Sequence, residues 1–382
     1  MAVIPLGFQF AGARCGLKNK RNDIGLLVSD REAALAGLTT QNLVHASCVD
    51  YMRERIAGGS LRAMVVNSGN ANCMTGPQGV RDTRRMAQLA AEALGLQPED
   101  VGVASTGVIG RLLDMAKVES GIAQAAASLG PSPKPFLEAI LTTDLVEKEA
   151  SATAGQARLY GVAKGSGMIA PNMATMLAFL CTDAEVDAPT LQGLLAEAAE
   201  RSFNSLTVDS DTSTNDMVVV LANGASGYRP TEPELRNALN EVCVSLARQI
   251  ARDGEGATKL IEVVVTGTED PKRVARTIAD SPLVKTAMFG CDPNWGRILA
   301  AAGRAGVPFD PTEARLTVEA GGEEHVLFEG GSPAPFDAKR VSTALKSDVV
   351  RILLYLGPGP SATVYTCDLG YGYVRINAEY HT

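Results

Sequence analysis

The sequence predicts an α/β fold, because short apolar runs alternate with longer segments of helical period. The runs at 24–28, 63–66 and 101–104 have the length and composition of buried strands. Apolar residues recur at helical spacing in 86–94 and 191–199, so each segment should form a helix with one apolar face. Alternation of this kind is typical of sheets covered by helices.

Later segments continue the alternation. Thr231 and Glu234 form a capping-box pattern that predicts the start of a third helix. The glycine- and proline-rich segment 321–335 predicts loops. A composition shift at 267–271 indicates a possible C-terminal unit covering about 268–382. Three further segments have strand character: 260–265, 349–356 and 362–367.

Composition excludes several classes of protein. The 382 residues are 46% hydrophobic, which allows large buried cores. The 35 basic and 43 acidic residues give a net charge of -8 without a basic tract, which argues against a nucleic-acid partner. The apolar segment 168–181 is too short to span a membrane and contains Pro171. Residues 1–13 lack a basic signal-peptide start, so we expect a cytoplasmic protein.

Cysteine and histidine patterns do not indicate a metal site or a disulfide framework. The seven cysteines contain no C-x-x-C pair, and the three histidines lack ligand spacing. We therefore expect no metal and no organic cofactor. Asp209, Asp211 and Asp216 resemble a calcium loop, but Thr214 and Val220 stand where an EF-hand requires glycine and glutamate. We interpret this segment as a hydrogen-bonded loop.

The segment 164–170 allows two interpretations. It contains G-x-G-x-x-A after a predicted strand at 158–162, a pattern found in dinucleotide-binding turns. Such a turn must open a helix, whereas Pro171 interrupts one before the strand predicted at 175–180. The other interpretation is that the glycines permit unusual backbone angles just before Thr175.

A threonine after such a loop is a candidate for self-cleavage. The Thr175 hydroxyl could attack the Ala174 carbonyl and move the acyl group from nitrogen to oxygen, and hydrolysis would then free the Thr175 amine. An α-amino group has an ordinary pKa of about 7.7–8.0, so it can serve as general base for its own hydroxyl. Such a mechanism requires no histidine. On composition alone, a threonine here is far more often an ordinary β-branched strand residue.

Longer motifs connect the chain to a known family. The segment 164–171 followed by 174–177 resembles the self-cleavage segment of the ornithine acetyltransferase family. The resemblance covers nearly the whole chain. It extends to six further motifs: 67–72, 105–110, 142–144, 209–216, 290–297 and 376–380.

The resemblance implies roles for individual residues. Thr175 would be the nucleophile, and cleavage would fall between Ala174 and Thr175. Thr106 and Gly107 would form the oxyanion hole, although the pair alone reads as an ordinary turn. The residues implied to bind substrate are Thr142, Lys164, Thr175, Glu255, Asn377 and Thr382.

The charges of two of these residues suit amino-acid substrates. Lys164 could pair with an α-carboxylate, and Glu255 could meet an ammonium group. Without the resemblance, both would be interpreted as solvated surface charges.

The resemblance also implies a fold and a reaction. The fold would be a four-layer αββα core similar to that of amidohydrolases with N-terminal nucleophiles, followed by a C-terminal α/β unit. Cleavage would give an α chain of residues 1–174 and a β chain of 175–382, assembled as two α and two β chains. The enzyme would transfer acetyl from N2-acetyl-L-ornithine to L-glutamate through acetyl-Thr175. Some members also accept acetyl-CoA.

Two alternatives remain open from the sequence. A self-processing aminopeptidase or amidase of similar fold would let water, rather than glutamate, resolve the acyl-enzyme. An uncleaved nucleotide-binding protein would use the 165–170 turn to bind a dinucleotide.

Overall fold

The computed structural model of the chain describes residues 3–170 and 176–379. None of the described helices is both long and apolar enough to cross a membrane. The strands are β1 Phe8–Ala13, β2 Ile24–Thr39, β3 Ser60–Asn70, β4 Val101–Val108, β5 Lys148–Ala154, β6 Ala157–Lys164, β7 Leu177–Thr182, β8 Met217–Ala222, β9 Leu260–Thr266, β10 Arg315–Ala320, β11 Glu323–Glu329, β12 Ser332–Pro333, β13 Val349–Tyr355 and β14 Ser361–Cys367. The helices are α1 Ser47–Gly58, α2 Gly76–Leu94, α3 Met115–Ala126, α4 Lys134–Ile140, α5 Ala188–Arg201, α6 Glu232–Arg252, α7 Pro271–Ala279, α8 Pro282–Phe289, α9 Trp295–Gly303, α10 Ala338–Ala344 and α11 Tyr371–Glu379.

The strands form two mixed sheets flanked by helices, which confirms the α/β fold class. The first sheet has the order β4-β3-β2-β8-β7-β6-β5, with β1 paired to β2. The second has the order β12-β11-β10-β13-β9-β14 and gives the C-terminal part of the chain its own hydrophobic core.

Strand β2 divides the first sheet into two halves that pack on each other. Its first part pairs with β1 and β3, its last part pairs with β8, and its register with β3 breaks between Val28 and Ala33. The Phe10 ring of β1 lies 6.1 Å from the Tyr160 ring of β6, three strands away from β2 in the sheet order. Such an approach requires the sheet to fold over, because adjacent strands are about 4.8 Å apart.

Helices cover both outer faces of the folded sheet. Side chains of α2 and α3 pack with one face of β2, β3 and β4, while those of α5 and α6 pack with the outer face of β7 and β8. The inner faces share a separate core with close aromatic contacts, including Phe136 and Phe179 at 5.3 Å between ring centres. This arrangement is the αββα layering that the family resemblance implied.

Local patterns in the sequence identified several elements correctly. The two apolar stripes lie in α2 and α5, where they face the core. Thr231 caps α6, and its hydroxyl accepts the Glu234 N–H while the Glu234 carboxylate accepts the Thr231 N–H. The capping box therefore satisfies amide groups that the first helical turn leaves free.

The prediction of loops across 321–335 is wrong, because β11 and β12 lie within that segment. Gly321 and Gly322 have positive φ angles and form the turn between β10 and β11. Gly330 and Gly331 do the same between β11 and β12. The glycines thus mark hairpin turns rather than a long loop.

The second sheet begins before the composition shift. Its strand β9, which pairs with β13 and β14, ends at Thr266, just before the segment 267–271. A unit boundary near residue 268 stays a prediction, and a cut there would remove β9 from its own sheet.

Candidate active site

The last residues of β4, which include Thr106 and Gly107, lie against the end of β3. The two strands are parallel, with Thr106 opposite Ser68 and Gly107 opposite Gly69. Thr106 is buried, and Gly107 has a φ of 132°. A Cβ at residue 107 would lie 2.4 Å from the Gly69 carbonyl carbon, so this position in β4 requires glycine. Thr106 and Gly107 therefore sit at a fixed position at the ends of two parallel strands.

Asn215 and Asp216 connect the end of β4 to the residue before β7. The Asn215 amide Nδ2 donates to the carbonyls of Ala71 and Ser105, both at 2.8 Å. The Asp216 Oδ1 accepts the Met176 N–H at 3.0 Å. Asn215 and Asp216, which directly precede β8, thus bind the strand that carries Thr106 and Gly107 and the residue that follows Thr175 in the sequence.

The proposed scissile bond lies outside the described residues, since Ala174 and Thr175 both fall between 170 and 176. The same holds for Thr382. Met176, which follows Thr175 in the sequence, is buried, and its N–H belongs to the peptide bond that joins it to Thr175. Asp216 therefore binds the first peptide group after the proposed nucleophile.

Lys164 ends β6 as a buried cation. Burial lowers the pKa of its ammonium, and the carboxylates of Asp144 and Asp216 partly oppose that shift. Burial in turn raises the pKa of Asp216 well above its ordinary value, against the charge of Lys164. Within residues 3–170 and 176–379, no hydrogen bond or ion pair reaches the Lys164 ammonium. The carboxylates of Asp144, Asp216 and Glu255 attract it without ion-pair contact.

A buried ion cluster lies beneath Lys164. Lys148 is fully buried, and its Nζ lies 2.7 Å from Asp144 Oδ1 and 2.6 Å from Asp253 Oδ2. Burial alone would raise the pKa of Asp144, but the charges of Lys148 and Lys164 outweigh it and bring the pKa down to about 2. We call Asp144, Lys148 and Asp253 the Lys148 cluster.

The Lys148 cluster connects three turns that carry sequence-predicted site residues. The Asp144 carboxylate accepts the Thr142 N–H at 3.0 Å and the Gly165 N–H, directly after Lys164, at 2.7 Å. The Asp253 carbonyl accepts the Ser166 hydroxyl at 2.8 Å. The cluster thereby fixes the turns that contain Thr142, Lys164 and Glu255 relative to one another.

Glu255 lies against the 165–168 loop and the C-terminal helix. Its N–H donates to the Ser166 carbonyl at 2.9 Å, and a Cβ on Gly167 would lie 2.4 Å from its carboxyl carbon. The Asn377 Nδ2 donates to Glu255 Oε2 at 2.8 Å. Gly167 therefore provides the space for Glu255, and the structure brings Glu255 and Asn377 together.

Asp209 supports the same loop from the opposite side. Its carboxylate accepts the N–H groups of Met168 at 2.6 Å and Ile169 at 2.7 Å. Met168 has a φ of 56°, an angle uncommon outside glycine. Asp209 and Asp216 thus stabilise backbone near the proposed cleavage site, as expected for a hydrogen-bonded loop. Residues 165–170 form no helix, which argues against a dinucleotide-binding turn there.

Sequence reasoning missed the residues that support the site. Lys148 lies between Glu147 and Glu149, a pattern typical of a solvated surface. The Asp253 side chain meets Lys148, and the Asn215 amide meets Ser105, across more than 100 positions, so no local pattern marks these contacts. The motif at 142–144 was the one available signal, because it contains Asp144.

Comparison with known proteins establishes the family. The model of the ArgJ family matches residues 9–382. The chain belongs to the ArgJ family. This membership confirms the resemblance seen in the sequence motifs.

Similar proteins match along almost their whole lengths. The arginine biosynthesis bifunctional protein ArgJ of Symbiobacterium thermophilum is 48% identical over 396 residues, covering 99% of this chain and 98% of that protein. The glutamate N-acetyltransferase of Methanothermobacter thermautotrophicus is 47% identical over 386 residues, covering 96% and 94%. A crystal structure of ArgJ from Bacillus halodurans is 42% identical and covers 52% of this chain and 96% of that chain, with a TM-score of 0.49.

The Lys148 cluster makes a testable contribution to stability. Lys148→Met should destabilise the protein by about 3–5 kcal/mol, because it leaves two buried carboxylates without their cation. Thermal unfolding followed by circular dichroism measures the effect.

Arg229→Met is the matched control, since Arg229 forms a similarly short ion pair with Glu185, at 2.6 Å, on the exposed surface. Its loss should cost less than about 1 kcal/mol. Equal shifts in Tm for both variants would contradict the account of the Lys148 cluster.

Proposed function

We propose that this chain is a glutamate N-acetyltransferase that moves an acetyl group from N2-acetyl-L-ornithine to L-glutamate through an acetyl-Thr175 intermediate. The observation that carries the proposal is the family match over residues 9–382, together with the 47% identity to a protein described as a glutamate N-acetyltransferase. The opposite charges of Lys164 and Glu255, held in neighbouring turns, support amino-acid substrates.

The proposed enzyme first cleaves itself. The Thr175 hydroxyl attacks the Ala174 carbonyl carbon, and the bond from that carbon to the Thr175 nitrogen breaks as the nitrogen takes up the proton. Water then hydrolyses the resulting ester. The products are an α chain of residues 1–174, with a new carboxylate on Ala174, and a β chain of residues 175–382 with a free Thr175 amine.

Acetyl transfer then follows in two half-reactions. The Thr175 amine accepts the hydroxyl proton as the oxygen attacks the acetyl carbonyl of acetylornithine, and ornithine leaves with that proton. In the second half-reaction, the α-amine of glutamate attacks the acetyl carbonyl of acetyl-Thr175, and the Thr175 oxygen leaves and takes up the proton that the amine loses. Thr106 and Gly107 donate to the oxyanion that forms in both steps. The buried Lys164 ammonium suits the α-carboxylate that both amino acids share.

The proposal has three extensions taken from the family resemblance. The mature enzyme would be cytoplasmic, it would contain two α and two β chains, and it would accept acetyl-CoA as a second donor. In substrate binding, Thr142, Glu255 and Asn377 would join Lys164, and Thr382 would contribute from the last position.

Self-cleavage gives the first prediction of this function. The purified protein should contain fragments of residues 1–174 and 175–382, because the Thr175 hydroxyl is placed directly after the scissile carbonyl. Thr175→Ala should remain a single inactive chain. Denaturing mass spectrometry measures both results.

Thr175→Ser provides the matched control, since it keeps a hydroxyl at the same position and should still be cleaved. A cleaved or active Thr175→Ala variant would show that another residue is the nucleophile. Formation of acetate without acetylglutamate by the wild type would instead favour the amidase alternative.

Thr106 gives a second prediction. Removing one donor to an oxyanion typically lowers kcat by about 100-fold to 1,000-fold, so Thr106→Ala should lose activity in that range with much less change in KM. Thr106→Ser retains the hydroxyl and should recover most of kcat.

Only cleaved protein is informative in this test, because attack on the Ala174 carbonyl also forms an oxyanion that this donor would stabilise. The cleaved fraction of Thr106→Ala is therefore purified, and a free Thr175 amine is verified by N-terminal sequencing. Near-normal kcat in that fraction would remove the Thr106 side chain from the mechanism and leave the Gly107 backbone.

A further inference from the structure

A groove rich in cations opens next to Thr142. It has a volume of about 550 Å³ and is lined by Lys18, Lys20, Arg21 and Arg111, with Gly69 and Thr142 on its inner side. We call it the basic groove. Its lining contains no carboxylate, although the chain as a whole carries a net charge of -8. This concentration of positive charge is therefore a local feature of the fold.

Two cations of the basic groove, Lys18 and Arg21, are held in place by hydrogen bonds to backbone carbonyls. Arg21 donates to the Asp144 carbonyl at 3.0 Å, and the Lys18 Nζ donates to the Leu141 carbonyl at 2.7 Å. These acceptors are backbone groups. In the part of the chain that the structure describes, no carboxylate lies within ion-pair distance of Lys18, Lys20, Arg21 or Arg111. Their charge remains available to an anion.

The loop that carries Lys18 has a fixed conformation. The Asp23 carboxylate accepts four consecutive backbone N–H groups at 2.7 to 3.0 Å, those of residues 15–18. Partial burial also lowers the pKa of Lys18 to about 8, against the attraction of Asp23 and Asp144. A cation held this way loses little conformational freedom when a ligand binds.

The basic groove adjoins the candidate active site on two sides. Gly69 is the strand partner of Gly107, which lies in the proposed oxyanion hole. Thr142 donates its N–H to Asp144, which also accepts the N–H of Gly165. An amino acid bound at Lys164 could therefore extend its side chain into the groove.

The proposed reaction creates a need for such a groove. Both amino acids must reach Thr175. They differ at the end of the side chain, where ornithine carries an ammonium group and glutamate carries a carboxylate. Glu255 suits the ammonium group but repels the carboxylate. A carboxylate that leaves water requires a cationic or hydrogen-bonding partner.

We propose that the basic groove binds the side-chain carboxylate of the acceptor glutamate, with Arg111 as its principal partner, while the side-chain ammonium of ornithine is directed towards Glu255. The inference rests on the proposed function and adds the residues that select the acceptor. Arg111 is exposed, and its planar guanidinium can bind a carboxylate through two parallel hydrogen bonds.

The test compares glutamate with glutamine as acceptor, because the two differ in side-chain charge but hardly in size. Wild-type enzyme should prefer glutamate in kcat/KM. Arg111→Gln should reduce this preference by about 10-fold or more, the usual effect of losing a charge-assisted hydrogen bond. Release of ornithine from acetylornithine in the absence of acceptor should change much less. Lys20→Gln, at the groove rim, should reduce the preference in the same direction.

Arg85→Gln is the control, because Arg85 is a half-buried arginine that pairs with Glu92 on α2, outside the groove lining. It should leave the preference unchanged. An Arg111→Gln variant that keeps the wild-type preference, or that loses kcat/KM equally for both acceptors, would overturn the inference. Failure of the wild type to acetylate glutamate would instead overturn the proposed function itself, so the two failures are distinguishable.

Discussion

The candidate site depends on one buried interaction, the pairing of Lys148 with Asp144 and Asp253. Three buried ionisable groups are tolerated only when each has close partners, and here the carboxylates also accept backbone N–H groups. Those N–H groups belong to the turns that carry the site residues. The electrostatic requirement of the cluster therefore sets the positions of the turns.

Charge is distributed unevenly around this cluster. Lys164 is buried without a hydrogen-bonding partner in the described part of the chain, whereas Glu255 is anchored by Asn377 at the opposite side of the loop. Asp216 is also buried, and its raised pKa favours the protonated form more than in water. The pKa of the Lys164 ammonium shifts the opposite way, because burial disfavours the charged form of both kinds of group.

The sequence predicts the local features of this molecule better than the long-range ones. Helices α2 and α5 and the Thr231 cap follow from spacing within a few residues. The motifs also identify the family and with it the layered fold. By contrast, the sequence around Lys148 predicts a solvated side chain. Its burial arises from a distant element, α6, whose last residue, Arg252, directly precedes Asp253. The pairing of β11 was missed because glycines that form tight turns look like loop residues in sequence.

The central claim is that Thr175 carries the acetyl group, and trapping the intermediate tests it most directly. The enzyme is mixed with N2-acetyl-L-ornithine without glutamate, quenched in acid, digested and analysed by mass spectrometry. The account predicts an acetyl group on Thr175 at the start of the 175–382 fragment, with one ornithine released for each acetylated site. Acetylation of another residue, or release of ornithine only after glutamate is added, would contradict it.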